Sequence, residues 1–215
     1  MFRDRKDAGM KLARALIKYS DEDILVLAIP RGGVEVGYQV AKYLDADFSL
    51  LIARKLPYPD QPEAGFGAIA EDGSTVILEE ASHWLPQQTI GAVIERQRQE
   101  IERRVAILRK GQPLPDMTGR TVILTDDGIA MGSTMRASIK LCKNQRAEKI
   151  VVAVPVAGGR IAAELAAKVD EIVVLEQPER FRAVAQVYEI WYDVPDSEVA
   201  AIMDEWQQGH RERRR

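Results

Sequence analysis

Two adjacent acids at the end of an apolar run, followed at once by glycines and hydroxyls, are the residues of this chain best suited to chemistry. They lie in Val122–Met135, VILTDDGIAMGSTM, where a strand-like run ends in Asp126 and Asp127. The chain then passes through Gly128, Ile129, Ala130, Met131 and Gly132 and enters a helical pattern at Ser133 and Thr134. Gly128 and Gly132 permit backbone conformations that turn successive N–H groups inward at an anion, and the start of the helix adds its positive dipole end. Ser133 and Thr134 supply hydroxyl donors. Carboxylates at this place would repel a bare phosphate but accept hydrogen bonds from vicinal hydroxyls of a ribose attached to it. The arrangement therefore fits a sugar 5-phosphate better than inorganic phosphate. No Lys follows Gly132, as a P-loop requires, and the G-x-G-x-x-G spacing of a dinucleotide site is missing both here and in RGGVEVG.

Two further places carry charge or glycine where an apolar run stops. Arg31-Gly32-Gly33 follows Pro30, and Arg54-Lys55 opens the segment RKLPYPDQPEAGFGAIAEDG, which contains Glu63. Taken alone, the first is a turn and the second a solvated cation pair.

The elements that must position these residues follow from hydrophobic patterning. Continuous apolar runs at Ile24–Ile29, Phe48–Ile52, Thr121–Thr125, Ile150–Val156 and Glu171–Leu175 predict buried parallel strands. Three- and four-residue apolar spacing predicts helices over Val34–Leu44, Gly132–Asn144 and Arg160–Lys168. A longer helix over Gln87–Arg109, with Ile90, Ile94, Ile101, Val105 and Leu108 on one face, is expected to be structural or at a subunit contact. Strand and helix alternate, which predicts an α/β fold with an open, mostly parallel twisted sheet, helices on both faces, and a ligand site at the carboxyl ends of the strands. Arg54–Gly73, with three prolines and three glycines, is expected to be a long mobile loop with a small hairpin, acting as a lid over that site.

The 215 residues are 46% hydrophobic and 29% charged, which suits one globular domain, expected over 1–209, with the basic tail His210–Arg215 disordered. Lys+Arg 30 against Asp+Glu 33 leaves a net charge of −3, so no global field favours nucleic acid or an anionic membrane. One cysteine, Cys142, and two histidines are too few for a disulfide framework or a soft-ligand zinc site, and packing or surface roles are expected for Cys142, His83 and Trp84. With no signal peptide and no apolar span near 20 residues, a cytoplasmic location is expected.

Val122–Met135 resembles the phosphoribosyl pyrophosphate (PRPP) motif of the type I phosphoribosyltransferases: four hydrophobic residues, two acids, then a phosphate loop. The resemblance implies that Asp126 and Asp127 take the ribose hydroxyls and that Gly128 through Thr134 hold the 5-phosphate. Arg31, Gly32 and Gly33 are similar to the family's pyrophosphate loop, whose backbone amides are often presented by an unusual peptide geometry. Arg54 and Lys55 resemble its pyrophosphate-contacting cations, and Glu63 is the acid-base candidate of the loop. Transfer of the 5-phosphoribosyl group to a nitrogenous base, with Mg²⁺ held mainly through PRPP near Asp126 and Asp127, is the implied activity, and a homodimer the implied assembly. Of the family's branches, the pattern is most similar to a bacterial group of phosphoribosyltransferase-like proteins with no settled substrate.

This chain departs from the family pattern at two positions. Met131 stands where the family usually has Thr, and a thioether cannot donate a hydrogen bond to phosphate. Ala130 stands where the hypoxanthine-guanine branch has an acid, which argues against a 6-oxopurine enzyme of that type. The acceptor base is expected in a C-terminal hood at Phe181–Tyr192, with Phe181 and Tyr188 as stacking candidates and Trp191 and Tyr192 beside them. A non-catalytic PRPP- or nucleotide-sensing protein is the alternative, suggested by Met131 and the unassigned hood.

Overall fold

The computed structural model describes the backbone of residues 1–213, and their side chains except at 80–82 and 210–213. Helix α1 (Arg5–Ala15) leads to β1 (Ile24–Ala28), α2 (Gly33–Leu44) and β2 (Asp47–Leu50). Strands β3 (Ala53–Tyr58), β4 (Gln61–Ala70) and β5 (Thr75–Ile77) come next, then α3 (Glu79–Trp84) and α4 (Gln87–Leu108). The chain continues through β6 (Thr121–Thr125), α5 (Ser133–Asn144), β7 (Lys149–Val156), α6 (Gly159–Ala166), β8 (Glu171–Glu176) and α7 (Asp196–Arg213).

The expected parallel sheet is present as five strands in the order β2-β1-β6-β7-β8, every neighbouring pair parallel. Alternation along β1 divides the core. Ile24, Val26 and Ala28 pack with Leu12, Val40 and Trp206 on one side of the sheet, whereas Leu25 and Leu27 pack with Met135, Ile139 and Leu165 on the other. From β1 the chain winds outward to β2, and from β6 it winds the opposite way through β7 to β8. The β1/β6 junction is therefore the topological switch point, where the two following loops diverge and leave a crevice.

The Pro/Gly segment is more regular than its composition predicts. In place of a mobile loop with a small hairpin, it forms most of a three-stranded antiparallel sheet in the order β3-β4-β5. The prolines are accommodated because Pro57 lies on an edge strand where the register shifts, and Pro62 lies at the exposed start of β4, so neither interrupts a central ladder. This sheet is anchored at its base by Arg109, which is 4% exposed and donates to the Leu50 carbonyl at 2.8 Å while pairing with Glu71. Glu71 in turn accepts from the Ile52 N–H at 2.9 Å.

Three helices, α1, α3 and α7, were not expected from the sequence. Asp4 caps α1 by accepting the Asp7 N–H at 2.7 Å, and Ala8 and Leu12 are turned to the core. In α7, Val199, Met203 and Trp206 are buried at helical spacing. The tail expected to be disordered from His210 instead continues α7 to Arg213, and Arg214 and Arg215 lie outside the described residues. No strand forms in the expected hood, where Val184–Val187 make a single 3₁₀ turn. Among the described residues no helix is long and apolar enough to cross a membrane.

Candidate functional site

The loops that leave β1 and β6 meet at the switch point. The Ile29 N–H donates to the Thr125 carbonyl at 2.9 Å, and beyond it the Pro30–Arg31 peptide is cis, an unusual geometry of the kind the family resemblance implied for this loop. The glycine pair that follows is required by proximity. A Cβ on Gly33 would stand 2.7 Å from Asp126 Cα, and one on Gly32 would stand 1.8 Å from Asp127 Oδ2. Arg31-Gly32-Gly33 and Asp126-Asp127 thus form one surface.

After the acids, the Ile129 N–H donates to the Val156 carbonyl at 2.9 Å and the Ile129 side chain is buried, so this residue anchors the loop from below. Gly132 takes the left-handed conformation, φ 72°, as the N-cap of α5, which directs the chain into the helix with Ser133 and Thr134 in its first turn. Met131 is 61% exposed, and its carbonyl accepts from Arg136 Nη1 at 2.9 Å while Arg136 forms a two-pronged pair with Glu164 at 2.9 and 2.8 Å. The loop is braced from outside by a guanidinium on α5, and its residues Gly128–Met135 line a cavity.

That cavity has a volume of about 300 Å³ and lies between Gly128–Met135, Asp126, Val184 and the hairpin residues Lys55, Glu63 and Gly65. It brings together most of the residues expected from the sequence. Lys55 lies across Gly65 with its Nζ donating to the Glu63 carbonyl at 2.6 Å. A separate cleft of about 570 Å³, lined by Lys110, Gln112, Asp204, Gln207 and Gln208, holds none of them.

Other expectations are divided by the structure. Side chains alternate along β3, so Lys55 faces the phosphate loop while Arg54 faces α4, donating from Nε to Gln97 Oε1 at 3.2 Å. Arg31 stands 3.8 Å from Asp196 Oδ1, at the start of α7. Asp126 lines the cavity, whereas Asp127 is turned beneath Gly32 toward α1. There Arg5, 4% exposed, donates from Nε to Asp127 Oδ2 at 2.9 Å and from Nη1 to the Tyr192 carbonyl at 3.0 Å, with its guanidinium 4.0 Å over the Trp191 ring. Burial pushes the Asp126 carboxyl well above the usual range, and the neighbouring Asp127 charge adds to this. Burial pushes Asp127 up as well, opposed by Arg5.

Tyr188, expected as a stacking surface, is 7% exposed and packs between Phe2 and Trp191, with its hydroxyl donating to the Asp127 carbonyl at 2.7 Å. Its ring faces serve packing, which corrects the expectation. Phe181 lies over Gly158, and it is Val184, three residues on, that reaches the cavity wall. Cys142 is buried, and its thiol is pushed far up by that burial. Sequence reasoning missed Arg5 and Gln97 because an arginine in RDRKD and a glutamine in ERQRQE carry no motif; only the fold brings them to the acids and to β3.

No group of three His, Cys, Asp or Glu side chains converges among the described residues. Asp126, the acid of the pair that lines the cavity, nonetheless suits a hard cation such as Mg²⁺, which ordinarily takes one or two protein carboxylates and completes its shell with substrate phosphates and water.

A parallel sheet whose switch point carries an acid pair, a glycine-bearing loop and an Arg-Gly-Gly turn, with a small antiparallel sheet beside it, is a type I phosphoribosyltransferase-like fold. The chain belongs to the phosphoribosyl transferase domain family, which it matches over residues 3–189. It is 41% identical over 207 residues to a Mycobacterium tuberculosis protein named "Putative phosphoribosyl transferase Rv0571c". That match covers 95% of this chain and 46% of the relative, so the chain spans about half the length of the curated relatives it matches. Among solved structures, TT1426 from Thermus thermophilus is 36% identical, with a TM-score of 0.82 over 96% of this chain and 99% of that one. AQ2163 from Aquifex aeolicus, at 15% identity and TM-score 0.51 over 83% of this chain and 76% of that one, shares the fold.

Proposed function

We propose that this protein binds PRPP with Mg²⁺ and transfers the 5-phosphoribosyl group to a nitrogenous base, releasing pyrophosphate. The observation that carries this reading is the cavity in which Asp126, the loop from Gly128 to Thr134, Lys55 and Glu63 converge, with Arg31-Gly32-Gly33 packed against the acids. Loop N–H groups and the Ser133 and Thr134 hydroxyls hold the 5-phosphate, and Asp126 accepts from the ribose hydroxyls. The nitrogen of the base attacks C1 as the bond from C1 to the pyrophosphate oxygen breaks, so negative charge builds on the leaving group. Arg31, with the amides around Gly32 and Gly33, stabilises that charge, and Lys55 contributes from the hairpin. Glu63, on the same cavity, takes the proton lost by the base. Asp126 would help to hold Mg²⁺ beside the ligand, and the ion would supply charge neutralisation for the departing pyrophosphate. No covalent nucleophile is required. The base enters on the Val184 and Phe181 side.

Calorimetric titration with PRPP, with and without Mg²⁺, followed by a scan of bases for pyrophosphate release, tests the proposal. Mg²⁺-dependent binding in the micromolar range, about −8 kcal/mol, is expected. Asp126→Ala removes a charge-assisted contact of about 1.5–3 kcal/mol and should weaken PRPP roughly tenfold to a hundredfold. Unchanged affinity in that variant removes the reading. A PRPP-sensing protein without turnover is favoured by two observations: the exposed Met131 donates nothing to phosphate, and Asp127 is engaged by Arg5. PRPP binding with no pyrophosphate release from any base would decide for it.

A further inference from the structure

Arg54, on the face of β3 opposite Lys55, meets α4 at Gln97, and Arg31, which leads into the glycine pair packed on the acids, stands near enough for its charge to act on Arg54. Gln97, Glu100 and Arg104 follow at helical spacing on one face of α4. Gln97, 7% exposed, accepts from Arg54, while Glu100 holds Arg104 at 2.9 Å and Arg103 at 2.8 and 2.9 Å. Asp196 closes the group from α7. Its Oδ1 is buried with no hydrogen-bond partner among the described residues and stands 3.8 Å from Arg31 Nη1, beyond hydrogen-bond reach. Four guanidinia thus face two carboxylates, and Arg31 donates no hydrogen bond to any described residue.

We propose that this face of α4 completes the binding site for the pyrophosphate end of the ligand. Arg104 joins Arg31 and Arg54 as a direct phosphate ligand, and Glu100 and Asp196 act as resident counterions that the ligand's phosphates displace. The inference rests on the phosphoribosyl reading for the ligand's identity but adds α4, which neither the motifs nor the family match assigns. Guanidinium forks match phosphate oxygens in pairs, and a cluster with more cations than carboxylates gains from a polyanion what it lacks at rest. Burial and then the Arg104 charge make the Arg54 guanidinium a stronger acid than usual, opposed by Glu100 and reinforced by Arg31 and Arg103.

The test is titration of the wild type, Arg104→Gln, Arg104→Lys and Glu100→Gln by calorimetry with three probes: PRPP, inorganic pyrophosphate and ribose 5-phosphate. Arg104→Gln should weaken PRPP and pyrophosphate about tenfold or more and leave ribose 5-phosphate unchanged. Arg104→Lys should recover part of the loss, and Glu100→Gln, by removing a competing carboxylate, should tighten PRPP and pyrophosphate several-fold. A merely structural role for the pair would weaken all three probes together, in both variants. That result, or PRPP and pyrophosphate affinities unmoved by Arg104→Gln, overturns the inference. If Arg104→Gln does not fold, the opposite directions expected of Arg104→Lys and Glu100→Gln decide it. A wild type that binds pyrophosphate but neither PRPP nor ribose 5-phosphate would instead defeat the phosphoribosyl reading and leave the polyphosphate site standing.

Discussion

Arg5 holds Asp127 in a contact almost closed to water, and this pair gives the two adjacent acids different characters. Asp126 faces the cavity; Asp127 is spent on a guanidinium that also bonds the Tyr192 carbonyl and covers Trp191. Taking either partner away strands the other charge in a low-dielectric site. Arg5→Met should therefore lower stability by about 3–5 kcal/mol, seen as an earlier urea midpoint with the same slope. Adding Asp127→Leu to that variant should return much of the loss, because two apolar groups of similar volume replace an ion pair with little net penalty. An Arg5→Met protein as stable as the wild type would show that the pair is not structurally engaged. Asp126 and Asp127 are equivalent as letters, and their place at the end of β6 was legible in the sequence. Their division of labour was not, because the partner that divides them lies in a segment with no motif of its own.

At the scale of elements, the hairpin β3–β4 decides what each of two adjacent cations does. Strand alternation sends Lys55 to the phosphate loop and Arg54 to α4, and a helix or an irregular loop would not have separated them this way. The Lys55 stem runs over Gly65, where a Cβ would lie 2.4 Å from Lys55 Cγ. Because the clash is with Cγ and Cδ, near the root of the side chain, Gly65→Ala should force Lys55 out of this rotamer and weaken PRPP several-fold in calorimetry. Affinity equal to the wild type would mean that the position of Lys55 over the cavity has no bearing on the ligand. The Pro/Gly composition concealed this sheet, since prolines at an edge and a register shift look in sequence like loop residues.

Across the whole molecule, the small sheet and the parallel sheet share their packing. Leu56, Phe66 and Ile69 belong to the same core as β1, α2 and α7, while Ala53, Ala68 and Ala70 belong to the core on the opposite face with α5 and α6. A chain built this way should unfold in one cooperative transition, with the fluorescence of its three tryptophans and far-UV circular dichroism changing together. PRPP at a hundred times its Kd should raise that stability by about 2.7 kcal/mol. Separate transitions would show the hairpin sheet melting on its own.

The sequence by itself determined the parallel strands, the helices between them, the order of the loops and the acid- and glycine-bearing stretch Val122–Met135 that lies at the switch point. Each of these is a local pattern: an uninterrupted apolar run, a three-to-four spacing, or acids and glycines within a few residues. Only the tertiary structure decided that Asp127 belongs to Arg5, that Tyr188 is a packing residue, that Arg54 meets Gln97 and that Arg31 faces Asp196. Those pairings join segments far apart in the chain, and their energies come from desolvation and proximity that no local pattern encodes.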